Sequence, residues 1–293
     1  MDDLFGTLRR PIAPLLELGA YEALWLRERT TFRSLAGLFR ARPGTLPSDF
    51  IPERVAAVHR DRALQVASDA AGGAFGISVY GTAAYPRALR SACFPVQLLY
   101  FQGRLELLSA RCLAIVGTRE PSRAGSLRAA RLARHFAQAG FTIVSGLARG
   151  VDAAAHIAAI QAGGATAAVL GTPVTECFPR QHERLQRKLA REHLVVSPVP
   201  ILRHARRSRQ DMRYFFRERN ATVTALAEAV VLVEADDRSG ALIAARYALE
   251  QRRPVFILDS SCRRPELAWP ARLAARGAIR VRCIADIESH LAP

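Results

Sequence analysis

The stretch FTIVSGLARGVDAAAH, residues 141–156, passes from an apolar run through a glycine loop into an alanine-rich run. Gly146 and Gly150 bracket Leu-Ala-Arg in the loop, and Asp152 stands four residues before His156. A short β-rich run that leads into a helical run is one step of a strand–helix alternation, which is the pattern of a parallel α/β sheet. The loop of such a step lies at the carboxyl edge of the sheet, where folds of this class bind ligands.

The same alternation continues through the chain from Leu113 onward. The β-rich runs are LAIVG, FTIVSG, TAAVLG, LVVS, AVVLVEA, PVFIL and a weaker IRV, and helices are predicted near residues 124–139, 151–162, 181–191, 217–228, 239–251 and 266–276. The runs are continuously apolar rather than alternating, as expected for strands that helices cover on both faces. We therefore predict an α/β fold over residues 111–293, with an extended Rossmann-like, doubly wound, mostly parallel sheet.

The first 110 residues have a different pattern. Residues 1–70 contain two helical runs, PLLELGAYEALWLRE and ERVAAVHRDRALQVASD, which the breaker ARPGTLPSDFIP separates. These runs predict a small helical domain of the SAM-like kind. Residues 71–110 are predicted to connect this domain to the sheet and to add a strand at the sheet edge.

Positive charge dominates the composition. The 293 residues include 42 Lys and Arg against 26 Asp and Glu, a formal net charge of +16, and Lys188 is the one lysine among them. Codon bias in a GC-rich genome explains arginine in place of lysine, but it does not explain the basic surplus. The surplus predicts attraction to a polyanion, and nucleic acid is the commonest polyanion in a cell.

Several classes of protein fit the sequence poorly. The five cysteines form no CxxC pair and no His/Cys cluster with metal-ligand spacing, which predicts no metal site and a reducing, cytoplasmic location. No apolar run approaches the roughly 20 residues of a membrane span, and the N-terminus MDDLFGTLRRP does not have the plan of a signal peptide. We therefore predict no membrane association and no cofactor.

Three strand ends carry glycine loops that open a helix. Free backbone N–H groups and the helix dipole at such a helix start favour an anion. Three such loops at one sheet edge, two of them with an arginine, predict a phosphate-binding crevice. None contains GK[ST] or GxGxxG, which argues against a Walker loop or a dinucleotide cofactor. The loops contain Gly117, Thr118 and Arg119; Gly146, Arg149 and Gly150; and Ser239 and Gly240.

Four segments of the chain resemble the DprA/Smf family of DNA-processing proteins. They are AIVGTREPS, IVSGLARGVDAAAH, AVLGTPVTECFPRQHERL and VVLVEADDRSGALIAARYAL, and the resemblance extends over about residues 75–285. It implies an extended Rossmann domain that binds single-stranded DNA and acts with a RecA-type recombinase in natural transformation. It also implies a homodimer that pairs through about residues 230–285. The winged-helix tail of many members is not expected in this chain.

The resemblance further implies which residues contact DNA. The GTR and SGLAR loops would hold backbone phosphate, CFPR would lie beside the DNA, and Arg219-Asn220 matches the start of the family's RNR segment. The chain departs from that segment at its third position, where Ala221 stands in place of an arginine. With the third glycine loop, the predicted contact set is Gly117, Thr118, Arg119, Ser145, Gly146, Arg149, Phe178, Arg180, Arg219, Asn220, Ser239 and Gly240.

The densest positive charge lies at residues 203–219, RHARRSRQDMRYFFRER. Arginines on phosphates with aromatic rings under bases are the usual means of single-strand binding, so we predict that this run supplements the crevice. The alternative is a solvated loop whose aromatic rings pack into the core. The predicted supporting residues are Arg206, Arg207, Arg209, Arg213, Tyr214, Phe215 and Arg217.

A catalytic role for the second loop is the weaker hypothesis. Asp152 and His156 share one helix face near Ser145, but Ser145 does not stand in the G-x-S-x-G turn that raises a nucleophilic serine. We predict that Asp152 is a first-turn acid that also holds Arg149, and that His156 is its buried partner. No catalytic residue is predicted.

The sequence leaves three functions open. The favoured function is a single-strand DNA binder that acts with a recombinase. The second is a related regulator or antitoxin in a phage-defence system that senses DNA or a nucleotide. The third is a nucleotide-hydrolysing enzyme of related fold. Besides Asp152, the candidate catalytic acid for this function is Glu234. The simpler role predicted for Glu234 is to hold a loop arginine such as Arg238.

Overall fold

The computed structural model describes residues 11–70, 73–206 and 209–292. The strands in these ranges join one sheet in the order β1-β2-β6-β5-β4-β3-β7-β8-β9. They are β1 (Gly76–Val79), β2 (Leu98–Gly103), β3 (Cys112–Val116), β4 (Thr142–Ser145), β5 (Thr166–Val169), β6 (Leu194–Ser197), β7 (Ala229–Leu232), β8 (Val255–Leu258) and β9 (Ile279–Val281).

The strands from β3 to β9 pair in parallel, which confirms the predicted α/β fold. Each begins within one residue of the apolar run that predicted it. The chain runs outward from β3 through β4 and β5 to β6, and then crosses to the other side of β3 to form β7, β8 and β9. The reversal beside β3 is a topological switch point, where doubly wound sheets open a crevice at the carboxyl ends of their strands.

Helices cover both faces of the sheet. The α-helices of the described residues are α1 (Pro14–Trp25), α2 (Phe32–Ala41), α3 (Glu53–Asp69), α4 (Arg123–Gln138), α5 (Val151–Gln161), α6 (Glu183–Glu192), α7 (Ile201–Ala205), α8 (Arg209–Ala225), α9 (Ala241–Glu250), α10 (Asp259–Cys262), α11 (Trp269–Ala274) and α12 (Ile284–Leu291). Helices α4, α5 and α12 pack on one face, and α6, α8, α9 and the N-terminal helices pack on the other. Alternate residues of β3 enter the two cores, since Ala114 faces one and Ile115 the other. No helix in the described ranges is both long and apolar enough to cross a bilayer.

Helix α8 is longer than the sequence predicts. It begins at Arg209 and includes most of the basic run. The dense charge of that run is also typical of a solvated loop. Arginine, glutamate and methionine have high helix propensity, and the run also buries Phe215, Arg219 and Val223 at helical spacing. A buried face at that spacing anchors the helix on the sheet.

The N-terminal segment forms three α-helices rather than the predicted two. Helix α2 begins after Thr31, whose hydroxyl accepts from the N–H of Ser34. Helix α1 is tied to the sheet by Glu22, a buried carboxylate that accepts from the Tyr100 hydroxyl and from the N–H groups of Ile201 and Leu202. The N-terminal helices thus share one core with the sheet. A domain boundary near residue 70 stays a prediction.

The connecting segment contributes two strands to the sheet edge, where the sequence predicts one. Strand β1 pairs with β2, and β2 pairs with β6, both in antiparallel fashion. The sheet therefore ends in β1 on this side and in β9 on the other.

Candidate nucleic-acid interface

The carboxyl ends of β3, β4 and β7 open into a pocket of about 780 Å³. Residues of the loops that follow these strands line the pocket, together with one face of α8 and the start of α9. Among the described residues, five arginines and three acids line the pocket, which gives this lining a positive charge. The arginines are Arg119, Arg213, Arg217, Arg219 and Arg238.

Neighbouring segments hold the loop after β3 from both sides. The N–H of Thr118 donates to the Glu234 carbonyl at 2.7 Å, and the Thr118 carbonyl accepts from the N–H of Val151 at 3.2 Å. A Cβ on Gly117 would lie 2.6 Å from the Val151 side chain, so glycine is required there. Arg119 follows, exposed and without a carboxylate partner among the described residues. The loop thus presents a free guanidinium from a fixed backbone.

Two buried charges fix the loop after β4. One Asp152 oxygen accepts from the N–H of Gly146 at 3.2 Å and from that of Ala148 at 3.3 Å. The Arg219 guanidinium donates to the Gly146 carbonyl at 2.7 Å and to the Val169 carbonyl. A Cβ on Gly146 would lie 2.3 Å from that guanidinium. Gly146 is therefore held through both of its backbone polar groups, and a larger residue there would have to displace the Arg219 guanidinium.

Asp152 and Arg219 are both buried, since each is 6% exposed. Their opposite charges reduce the cost of removing each other from water. Burial raises the pKa of Asp152, whereas the charge of Arg219 and the two amide hydrogen bonds lower it. Burial lowers the pKa of Arg219 to about 10, and Asp152 opposes that change. Each charge thus offsets part of the desolvation penalty of the other.

Two predictions for these residues need correction. Arg219 is directed at carbonyl groups inside the protein, so it shapes the pocket wall rather than presenting a free charge to phosphate. Asp152 holds the backbone of its own loop and not Arg149. The Arg149 guanidinium lies 3.5 Å from Glu120 instead, at the surface and outside the pocket lining.

Leu147 shows how tightly this loop is determined. It is fully buried with a backbone φ of +58°, a left-handed conformation. This conformation costs a residue with a side chain on the order of 1–2 kcal/mol. Asp152 and Arg219 hold the backbone of the preceding Gly146. The Leu147 carbonyl contacts His182 Nδ1 at 2.9 Å. Such strain persists where surrounding contacts over-determine it, which is typical of functional loops.

Two other predicted residues lie outside the pocket lining. The Ser145 hydroxyl donates to the Ile115 carbonyl at 2.6 Å and is fully buried. His156 is buried as predicted, but its Nδ1 contacts the Thr166 hydroxyl at 2.7 Å rather than Asp152. Burial lowers the pKa of His156 to about 3, so its ring is neutral at pH 7.

The loop after β7 forms another wall of the pocket. The Asn220 side chain donates to the Gly240 carbonyl at 3.4 Å, and the Ser239 hydroxyl accepts from the N–H of Ala241 at the start of α9. Arg238 is exposed at the pocket and has no carboxylate partner in the described ranges. The loop thus adds another free guanidinium.

Glu234 does not hold Arg238, which corrects the predicted role of this acid. Its carboxylate accepts from the Ser122 hydroxyl at 2.8 Å and from the Ser122 N–H at 3.2 Å. Ser122 in turn caps α4 by accepting from the N–H of Gly125 at 2.9 Å. Glu234 therefore anchors the start of α4 beside the pocket.

Helix α8 divides the predicted basic run into two faces. Arg213, Phe216 and Arg217 line the pocket. Phe215 is 1% exposed, and the Tyr214 hydroxyl accepts from a backbone N–H of the N-terminal helices at 2.8 Å. The prediction that Tyr214 and Phe215 lie under bases is therefore wrong, because both pack between α8 and the N-terminal helices.

An aromatic pair, one ring exposed and the other half-buried, lies at the pocket instead. The rings of Phe178 and Phe216 lie 4.9 Å apart between centroids, and Phe178 is 41% exposed. Phe216 is an aromatic residue of the predicted basic run, whereas Met212 was not predicted, and both line the pocket. Their signal is helical spacing, since residues 212, 216, 220 and 223 share one helix face once the run is taken as a helix.

Two of the remaining predicted arginines, Arg180 and Arg206, are not brought to the pocket. Arg180 is exposed in a short 3₁₀ turn, and Arg206 is exposed at the end of α7. Arg207 lies outside the described residues, as does the side chain of Arg209. Among the residues that are described, no three His, Cys, Asp or Glu side chains cluster as metal ligands would.

The fold and the pocket define a doubly wound α/β protein with an arginine-lined crevice at its switch point. The chain matches the family DNA recombination-mediator protein A over residues 76–292, and it belongs to that family. The DprA/Smf resemblance of the sequence is thereby confirmed.

Relatives and solved structures agree with this assignment. The chain is 34% identical to DNA processing protein DprA of Bacillus subtilis over 71% of its own length and 68% of that protein. It is 39% identical to Protein Smf of Synechocystis over 60% of its length, but this match spans only 44% of that relative. The X-ray structure of DprA from Streptococcus pneumoniae superposes with a TM-score of 0.69 at 26% identity, covering 96% of this chain and 98% of that one.

A second solved structure concerns the single-stranded DNA binding mode of DNA processing protein A from Helicobacter pylori. It superposes with a TM-score of 0.63 at 26% identity and covers 76% of this chain and 97% of that one.

Proposed function

We propose that the crevice binds the sugar–phosphate backbone of single-stranded DNA and that the protein acts in DNA processing. The observation that carries the proposal is the convergence of Arg119, Arg213 and Arg238 on one pocket. None of the three has a carboxylate partner in the described ranges. Unpaired guanidinium groups around a loop of fixed backbone suit phosphate, which accepts charge-assisted hydrogen bonds.

The aromatic pair supports a single strand over a duplex. Phe178 and Phe216 offer ring surface beside the arginines. A ring of this kind stacks on an unpaired base, whereas the bases of a duplex are already stacked on each other. Backbone charge combined with aromatic stacking is the sequence-tolerant mode of single-strand binding.

The relatives support the same proposal through their names and through the subject of the Helicobacter pylori structure. A RecA-type recombinase as partner rests on the family resemblance alone, and so does the homodimer. Pairing through the edges of β7 and β8 is ruled out within this sheet, since each has a strand on both sides. A dimer through residues 230–285 would therefore use β9 or the helices around it.

The two other functions receive no specific support from the described residues. Asp152 and His156, the pair that suggested catalysis, are engaged with backbone amides and with Thr166. A defence regulator would use the same crevice for DNA or a nucleotide. Titration with nucleoside phosphates beside single-stranded DNA separates these functions from the one proposed.

The proposal is tested by titrating the protein with a labelled dT20 strand and with a 20-base-pair duplex in fluorescence anisotropy at several salt concentrations. We expect dT20 to bind more tightly. Its log affinity should fall with log salt with a slope of about −2, because each of three contacted phosphates contributes about −0.7. Equal affinity for the two forms, or a slope near zero, contradicts the proposal.

A further inference from the structure

Helix α4 carries an exposed row of positive charge outside the pocket. Its sequence RAGSLRAARLARHFAQ contains Arg123, Arg128, Arg131 and Arg134 and no acidic residue. All four arginines are exposed, while the opposite face of the helix packs on the sheet. We call these four residues the α4 arginine row.

The row is unpaired, which is not a general property of this arginine-rich chain. None of its members has a carboxylate partner in the described part of the protein. On α6, by contrast, Arg187 pairs with Glu183 at 2.5 Å and Lys188 pairs with Glu192 at 3.2 Å. Four unneutralised charges on one surface attract a polyanion, and their mutual repulsion is relieved when it binds.

The row starts at the crevice. Ser122, which Glu234 anchors, caps α4, and Arg123 stands four residues after Arg119 of the pocket. From Arg123 to Arg134 the helix rises about 16 Å at 1.5 Å per residue. A stacked strand places a phosphate about every 3.4 Å, so roughly five phosphates span that length.

We propose that the α4 arginine row is a second contact for the strand held in the crevice, which continues from Arg119 along the exposed face of α4. This inference rests on the proposed function and extends its footprint. The chemistry favours a nucleic-acid backbone over a membrane. The exposed face has one large apolar side chain, Leu127 at 63% exposure, and an interfacial helix needs a broad apolar face.

The test compares two double variants with equal loss of charge. Arg131→Gln with Arg134→Gln removes half of the row. Arg54→Gln with Arg62→Gln removes two exposed arginines of α3 that have no carboxylate partner among the residues the structure describes. Glutamine keeps the helix propensity of arginine. Each variant and the wild type are titrated with dT6, which fills the crevice alone, and with dT20, and also with vesicles of anionic lipid.

For dT20 we expect the row variant to bind about 25-fold more weakly than the wild type in 0.1 M salt, because each lost contact removes a factor of about 10^0.7. Its salt slope should become shallower by about 1.4, and its affinity for dT6 should be unchanged. The α3 variant should match the wild type with both strands.

Each other outcome overturns the inference. Equal dT20 affinity for the two variants shows that the row does not contact DNA. Equal loss with dT6 and dT20 places these arginines inside the crevice site rather than on an extension of it. Loss of vesicle binding with unchanged dT20 affinity assigns the row to a membrane. If the wild type binds neither strand, the proposed function fails, and the inference fails with it.

Discussion

Replacing Asp152 with asparagine tests the clamp on Gly146 that shapes the crevice. The carboxylate is 6% exposed, accepts from two backbone N–H groups and faces the charge of Arg219. Asparagine has nearly the same shape and keeps one carbonyl oxygen as acceptor. The substitution therefore removes the negative charge and little of the packing.

The structure makes the expected cost larger than that of a surface capping acid. A carboxylate at an exposed helix start contributes about 0.3–1 kcal/mol through the dipole. Here the loss leaves the buried charge of Arg219 uncompensated, and leaving one buried charge without its partner costs about 3–5 kcal/mol. One carboxylate oxygen holds both amides, so the carbonyl oxygen of asparagine can keep both hydrogen bonds. We therefore expect Asp152→Asn to lower the free energy of unfolding by about 3 kcal/mol, at the lower end of that range.

Urea denaturation of the variants measures this cost. Asp236→Asn is the matched control, because Asp236 is exposed and, within the described ranges, its side chain accepts only from the N–H of Arg238. We expect the control to change stability by about 0.5 kcal/mol or less. Arg219→Met and the double variant complete a cycle, in which the coupling between Asp152 and Arg219 should be about 2 kcal/mol.

Two results would refute this reasoning. If Asp152→Asn and Arg219→Met are additive within about 0.5 kcal/mol, the two charges do not compensate each other. If instead Asp152→Asn leaves stability unchanged and abolishes turnover of a nucleotide, the residue is a catalytic acid and the loop is an active site.

Three further predictions follow from the same region. Between pH 6.5 and pH 5 the wild type should lose about 2 kcal/mol more stability than His156→Gln. The reason is that His156 takes up a proton with a pKa near 6.5 in the unfolded chain but with a pKa of about 3 in the folded protein. Urea denaturation measures this difference, and parallel pH profiles of the two proteins would contradict it. Arg119→Ala should weaken dT20 binding at least about tenfold in anisotropy titrations, because Arg119 lines the pocket. Arg149→Ala should bind as the wild type does, because Arg149 lies outside the pocket lining and beside Glu120. Equal losses in the two variants would show that the DNA-binding site is not this pocket. Phe215→Ala should lower the free energy of unfolding by about 3–5 kcal/mol, because Phe215 is buried. Phe216→Ala should mainly weaken dT20 binding, by about tenfold, because Phe216 lines the pocket. The reverse result would show that α8 turns the opposite face to the pocket.

The parallel sheet could be predicted from the sequence because its signal is local. A strand buried on both faces must be apolar throughout, so runs such as LVVS mark β6 without knowledge of the rest of the chain. The start of α8 could not be predicted in the same way. Its charge resembles that of a loop, and its buried face becomes apparent only when the packing of Phe215 against the N-terminal helices is known.

The candidate site was predictable in position but not in the direction of its side chains. Glycine loops after strands place Gly117 and Gly146 at the switch point, where Val151 and Arg219 come too close for a side chain to be added without displacing them. The directions of Ser145 and Arg219 depend on hydrogen-bond acceptors in other segments. Ser145 bonds to the neighbouring strand, and Arg219 bonds to carbonyls 73 and 50 residues away in sequence. No local pattern encodes such acceptors.

The structure explains why alanine rather than arginine suits position 221, the third position of the segment that resembles the family's RNR. Ala221, which replaces the third residue, is 4% exposed and faces the core beside α9, so an arginine there would have to be buried. The pocket takes its charge on α8 from Arg213 and Arg217, which stand about two turns and one turn before Ala221 on the exposed side of the helix. The charge that α8 gives to the crevice therefore comes from its earlier turns and not from position 221.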